Sequence, residues 1–488
     1  MFSRCDLLLP MGLYLCCMLG MGIYANRASL RRKGSFLEHY FIGDRRMGGF
    51  VLAMTLIATY TSASSFIGGP GVASSKGLSW VFLAMIQVPT AFLTLGILGK
   101  KLALVSRKIR GVTVIDYLWA RYRSKALVLF SSLGILVFFL AIMVAQCIGG
   151  ARLFQVIAGI PYSTGLALFA LVVVLYTTLG GFRAVVITDA LQGVVMIFAT
   201  LFLLGAVIKA GGGLEAASQT IQSLHPEMMD PTSGGTLSRP FLLSFWILVG
   251  LGILGLPQTT VRGMGFRDSR SLHHAMIIGT LVVGFLMLGM HLVGFFGKVL
   301  LPPEGISPDL VIPTLTVQVL PPLWAGIFIA GPLAAIMSTV DSLLIMASAA
   351  IIKDLYLRFV SPSAPEKAIT RMSFIATAFL GLGAFLLALN PPDLIVWINL
   401  FAFGGLEAAF LWPTVLGLYW KRANASGALL GMLTGVATYF WCSLAPFKPL
   451  GMHQIVPVTL FSLLGFLLGS WLGKKPDAET LEIFFGEH

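Results

Sequence analysis

Two aspartates, Asp189 and Asp341, stand inside stretches otherwise too apolar for water. A carboxylate at bilayer depth costs about 3 kcal/mol on insertion scales, so each needs a partner or a task. Around Asp341 the chain reads AAIMSTVDSLLI, and helical spacing sets Ala335, Ser338, Thr339 and Ser342 along one side with Asp341 adjoining. Hydroxyl, carbonyl and carboxylate oxygens suit a hard cation such as sodium, and no His/Cys cluster points to a transition metal instead. Taken singly, Ser338 and Thr339 read as hydroxyls bonded back to the preceding turn. Beside a buried carboxyl and a broken helix they read as an ion site. A different class of chemistry, an intramembrane aspartyl enzyme, would need both carboxyls to converge on one water. Gln87, Gln146 and Gln258 are uncharged donors in or beside apolar runs, suited either to bridging helices or to touching a substrate. Arg152 stands near the end of an apolar run, where it can snorkel to the interface or meet an anion.

The elements that must position these groups are membrane helices. Apolar runs between polar breaks predict thirteen spans, near residues 6–26, 47–73, 78–99, 126–158, 161–181, 184–209, 241–261, 274–301, 322–352, 372–390, 393–420, 424–446 and 453–473. Two are interrupted by glycine and proline: the second, ATYTSASSFIGGPG from Ala58, and the seventh, GLGILGLPQTTVRG from Gly250. Broken helices at matching positions of two repeats are where helical transporters expose backbone to ions. The two lie five spans apart, and an odd number of crossings inverts the second copy relative to the first. Spans two to six (47–209) and seven to eleven (241–420) are thus expected as inverted repeats. An extra first helix (6–26), two further helices (424–473) and a short tail (476–488) complete a single transmembrane domain, 1–475.

Composition agrees, since the 488 residues are 57% hydrophobic and only 11% charged, with mean hydropathy +0.90. Soluble domains carry about 25% charged residues, so a soluble fold is excluded. The net charge of +13 could suggest nucleic acid, but the basic residues fall in alternate loops. One side collects Arg31, Arg45, Lys100, Arg107, Arg121, Arg183, Arg262, Arg267, Lys353, Arg358, Lys421 and Lys474; the other holds few. That asymmetry places the N-terminus outside and the C-terminus in the cytoplasm, and leaves no patch for bases. Four of the five cysteines lie in apolar runs without metal-ligand spacing, and are expected as packing residues. The first span precedes its basic cluster, which argues for a retained helix, not a secretory signal.

Four segments, ATYTSASSFIGGPG, GGFRAVVITDALQG, AAIMSTVDS and FAFGGLEAAFLWPTVLGLYWKRA, resemble the sodium:solute symporter family, and the likeness extends over nearly the whole chain. The resemblance implies an all-α polytopic protein with a leucine-transporter-type five-plus-five inverted-repeat core, a sodium symporter of a bacterial cytoplasmic membrane with no enzymatic activity. It implies sodium as the co-transported ion, held by main-chain oxygens of Ala58, Thr61 and Ala335 and by the hydroxyls of Ser338 and Thr339. A second sodium would fall to Asp189, Asp341 and Ser342 together with Ser338, although relatives carry serine where Asp341 stands. The substrate implied is a small carboxylate, pantothenate, with proline, a monocarboxylate, a sugar or sialic acid as rivals. It is expected beside the broken helices, with Tyr60, Ser62, Gln87, Gln146, Arg152 and Gln258 as candidate contacts. No obligate protein partner is implied.

Overall fold

The computed structural model describes residues 4–30, 47–302, 305–445 and 449–486. Their backbone is almost wholly helical, as hydrocarbon demands: without water, every N–H and C=O must be satisfied inside its own segment. The single strand-like pairing among the described residues is the bridge between Met47 and Phe266.

Among the described residues nine helices are long and apolar enough to cross a bilayer, including Leu78–Lys108, Lys125–Ala158, Ser269–Leu300, Pro322–Val360 and Ile395–Tyr419. Two bent pairs raise the number to eleven among the described residues: Gly49–Tyr60 with Ser64–Lys76, bent by 72°, and Arg239–Gly255 with Pro257–Met264, bent by 51°. These are the second and seventh spans: the seventh breaks between Gly255 and Pro257, as its glycine and proline predict, whereas the second breaks at Thr61, ahead of Gly68–Gly71, which lie in the regained helix. The first and fifth expected spans correspond to the shorter apolar segments Leu7–Met21 and Tyr162–Thr178. The fifth and sixth share one continuous helical run, Tyr162–Ala210. Four further helices stand between or after the spans, at Val114–Tyr122, Leu214–Leu224, Pro308–Val319 and Ala478–Phe485, and hydropathy gave no sign of them.

Burial sorts the bundle. The apolar windows of the ninth and eleventh spans are 89% and 83% buried, against 39% for the tenth and twelfth, so the former pair forms the centre and the latter faces outward. Glycines let the eighth span and the helix Pro308–Val319 approach the broken second span. A Cβ on Gly294 would lie 1.9 Å from the Pro70 carbonyl oxygen, and one on Gly71 equally close to that of Pro308. Cys147 and Cys442 are buried as packing residues should be, but Cys16 and Cys17 face outward from the first helix.

Many of the basic residues meet at one end of the bundle. Arg107 donates to the Phe266 carbonyl (2.5 Å), Arg358 to Asp116 (2.9 Å) and buried Arg121 to the Gly417 and Trp420 carbonyls (2.7 and 3.0 Å). Those contacts tie the connections after the third, seventh, ninth and eleventh spans together, as alternate loops require. Residues 31–46, with the first basic cluster, lie outside the described residues. Arg262 departs from the expectation: it is no loop cation but wholly buried.

Candidate functional site

The second span loses its helix at Thr61, which adopts extended backbone (φ −71°, ψ 136°), and regains it at Ser64. A break inside a bundle orphans backbone groups, and each must find another partner. The Ile57 carbonyl takes both the Thr61 N–H (2.7 Å) and the Thr61 hydroxyl (2.8 Å). The Ala63 N–H donates to Gln146 Oε1 at 2.7 Å, so Gln146 of the fourth span holds the break and is not a cavity contact. The Ala58 and Thr61 carbonyls accept from the ninth span: Ser338 Oγ donates to Ala58 O (2.7 Å) and Thr339 Oγ1 to Thr61 O (2.8 Å). The same two hydroxyls reach back to Ala335 O, at 3.2 and 2.9 Å.

Five oxygens named from the sequence, those of Ala58, Thr61, Ala335, Ser338 and Thr339, are therefore gathered across two helices. All five residues are buried, Thr339 at 3% exposure being the least so. The set is neutral, and the hydroxyls can turn their lone pairs inward. That is oxygen chemistry for a hard cation.

Asp189, Asp341 and Ser342 also come together in one buried region, but with an addition. Asp189 accepts from Thr55 Oγ1 at 2.5 Å and from Arg262 Nη2 at 3.5 Å. Arg262 further donates to Thr59 Oγ1 (2.7 Å from Nη2, 3.0 Å from Nε) and to Ser342 Oγ (2.5 Å). Asp341 takes its hydrogen bond from the Tyr176 hydroxyl. The sequence pointed to none of Arg262, Thr55, Thr59 and Tyr176. An aspartyl pair converging on one water is not what these contacts make.

A narrow cavity of about 40 Å³ opens beside the break. Tyr60, Ser62 and Gln87 line it as expected, with Tyr60 OH donating to Gln87 Oε1 at 2.8 Å. Ser64 and Ser65, at the N-terminus of the second half of the second span, also line it, as do Trp80, His291, Asn399 and Phe403. The eleventh-span residues Val396, Asn399, Leu400 and Phe403 share one helical face, a periodicity visible in the sequence. His291 was findable too, as a lone polar residue in an apolar run. Two candidate contacts are placed elsewhere. Arg152 donates to Gln155 (2.9 Å) and stacks over the Tyr162 ring (4.9 Å), and Gln258 is buried outside the cavity lining.

Glu407, on the eleventh span, is 1% exposed and packs on the broken seventh span. A Cβ on Gly252 would fall 2.3 Å from its Oε2, and neither carboxyl oxygen has a hydrogen-bond partner among the described residues.

The family model described as "Sodium:solute symporter family" matches residues 40–435. The chain is 51% identical over 479 residues to the sodium/pantothenate symporter of Escherichia coli (strain K12), covering 98% of this chain and 99% of that one. Against the sodium/pantothenate symporter of Haemophilus influenzae the figures are 50% over 476 residues, with 97% and 98% covered. The sodium/proline symporter of Escherichia coli is 30% identical, with 92% and 90% covered. Among solved structures, the substrate-bound outward-open state of a Na+-coupled sialic acid symporter superposes with a TM-score of 0.78 at 20% identity, covering 96% of this chain and 99% of that one. The closed form of MHP1, a nucleobase-cation-symport-1 family transporter, gives 0.55 at 14%, with 91% and 97% covered. These two likenesses establish the leucine-transporter-type fold.

Proposed function

This chain belongs to the sodium:solute symporter family, and from that premise we propose that it imports pantothenate together with sodium by alternating access. Identity of about one half to sodium/pantothenate symporters, along nearly the whole of both chains, carries the choice of substrate. The protein is a transporter and not an enzyme.

Sodium binds where Ser338 and Thr339 bridge to the Ala58 and Thr61 carbonyls, with the Ala335 carbonyl beside them. What supports this is the pairing of helix-break carbonyls with hydroxyls from another span, the arrangement in which one small cation links both. Binding holds the second and ninth spans together and fixes the break whose outer half starts at Ser64. That helix start faces the cavity and favours a carboxylate. Tyr60, Ser62 and Gln87, joined by His291 and Asn399, offer hydrogen bonds to the amide and hydroxyls of pantothenate. The two inverted repeats are spans two to six and seven to eleven, and the basic end of the bundle faces the cytoplasm of a bacterial inner membrane.

Energy limits the cycle. A tenfold sodium gradient supplies about 1.4 kcal/mol, and each net charge carried through 100 mV about 2.3 kcal/mol. One sodium with one monoanion moves no net charge and supports about tenfold accumulation from that gradient.

The test is uptake of labelled pantothenate into proteoliposomes under an inward sodium gradient, with potassium replacement as the control. Sodium-dependent uptake is expected. Sodium-driven uptake of proline or sialic acid with pantothenate inert would keep the family and sink the substrate. If folded protein moves no solute with sodium, the symporter reading fails.

A further inference from the structure

The buried polar cluster between the second, sixth and ninth spans already contains a cation. Arg262, in the inner half of the broken seventh span, is wholly buried, with Nη2 2.7 Å from Thr59 Oγ1, 2.5 Å from Ser342 Oγ and 3.5 Å from Asp189 Oδ2. Its Nε reaches Thr59 Oγ1 at 3.0 Å, and Thr59 and Ser342 are themselves only 3.3 Å apart. Two hydroxyls and a carboxylate, all buried, are the donor set a sodium ion would use. Here they are spent on a guanidinium. It carries the same charge as sodium, cannot dissociate from the chain and stays protonated at any working pH.

A buried carboxylate is tolerated only when a partner balances it, and Arg262 balances Asp189. A sodium ion entering the same space would meet a like charge where little solvent screens it. Asp341, the other carboxyl of the region, accepts from the Tyr176 hydroxyl through Oδ2 alone; its Oδ1, like that of Asp189, has no hydrogen-bond partner among the described residues.

We propose that Arg262 is a built-in cation standing in the place of a second sodium, so that a single sodium accompanies each substrate anion. This rests on the symport reading above and adds the stoichiometry to it. The cycle then moves no net charge with a monoanion, and membrane voltage neither drives nor brakes net uptake.

The experiment measures influx of ²²Na and labelled pantothenate together in proteoliposomes of the full chain, with and without an inside-negative potassium diffusion potential set by valinomycin. The expected result is one sodium per pantothenate and the same uptake at both voltages. A ratio of two, with uptake stimulated by the potential, would overturn the proposal while leaving symport standing; no sodium-dependent uptake at all would instead strike the symport reading. Arg262→Met then tests the residue itself. With the charge gone and Asp189 left in place, the Hill coefficient for sodium should rise from one toward two. A folded, transporting variant that keeps a coefficient of one would remove Arg262 from the explanation, and the flux ratio of the unmodified protein decides even where the variant does not fold.

Discussion

The two broken helices settle their freed backbone groups in opposite ways. At the second span the partners come from other helices: Ser338 and Thr339 of the ninth span take the Ala58 and Thr61 carbonyls, and Gln146 of the fourth takes the Ala63 N–H. At the seventh span the break looks after itself. The Leu256 carbonyl accepts from the hydroxyls of Thr259 and Thr260, each at 2.9 Å, and from their N–H groups at 3.2 and 3.1 Å. Its nearest acid, Glu407, is left without a hydrogen bond. One break is therefore a junction, whose state depends on how two other spans stand beside it. The other is a joint whose carbonyl is satisfied within its own span, the ties to other helices coming only further on, where Arg262 reaches Thr59, Asp189 and Ser342. An ion that must sense conformation belongs at the junction.

The difference can be attacked in order of expected effect. Ser338→Ala removes a hydroxyl that spans the junction and should raise the half-saturating sodium concentration about 10- to 100-fold, the equivalent of about 1.5–3 kcal/mol. Sodium activation of uptake measures this, and an unchanged curve would dissolve the distinction. Gln146→Leu leaves the Ala63 N–H buried without its acceptor, which costs about 1–3 kcal/mol. A lowered melting temperature together with weaker sodium activation is expected.

Thr259→Val, at the joint, should cost only about 0.5–1.5 kcal/mol, because the Leu256 carbonyl keeps other donors. Melting should shift slightly while half-saturating sodium stays put; a large sodium effect would make both breaks junctions.

The second span has a helix laid over its second half, and Asp309 of that helix, Pro308–Val319, accepts from the Ile395 N–H at 3.3 Å. Burial pushes the Asp309 carboxyl up to about 6, against the pull of that backbone hydrogen bond and of Arg152. An acid raised in the docked state binds more protons docked than undocked. Docking is therefore strongest below the ordinary aspartate range and weakens as pH rises toward 6, then levels off. Melting followed from pH 4 to 7 should show this slope in the parent protein and a flatter one in Asp309→Asn. Smallest of all, Glu407→Gln should leave half-saturating sodium within about threefold and stability unchanged or slightly higher, because no hydrogen bond is lost.

Much of this was legible in the chain because hydrocarbon leaves few choices. Apolar runs had to be helices, and an interruption of the second was legible, although it falls at Thr61 before the serines and not at Gly-Gly-Pro-Gly, which stays helical. The five oxygens of the junction came from the family resemblance, and their convergence could not be read from spacing alone, since 58 and 338 meet only in three dimensions. Arg262 was misread because it sits at the inner edge of a span, where a cation ordinarily turns to water; nothing local says that Thr59, Asp189 and Ser342 wait on the inner side. Arg152 failed for the reverse reason. At the end of its span it could snorkel or meet an anion, and Gln155 and the Tyr162 ring, three and ten residues on, hold it away from the cavity. Helices such as Val114–Tyr122 and Pro308–Val319 escaped because hydropathy marks only what lies in lipid.

The hydroxyls of Ser338 and Thr339 have one more consequence, for the half of the cycle in which nothing is carried. A binding site made of carboxylates would be left charged after release, and a charged carrier is held back from reorienting across a low-dielectric barrier. Were sodium held by the proposed set, its release would leave no charge behind, because Ser338 and Thr339 each have a helix-break carbonyl to donate to. On that proposal the unloaded protein would return to face outward at little energetic cost, and its turnover would not be bound to wait for cargo from the cytoplasmic side.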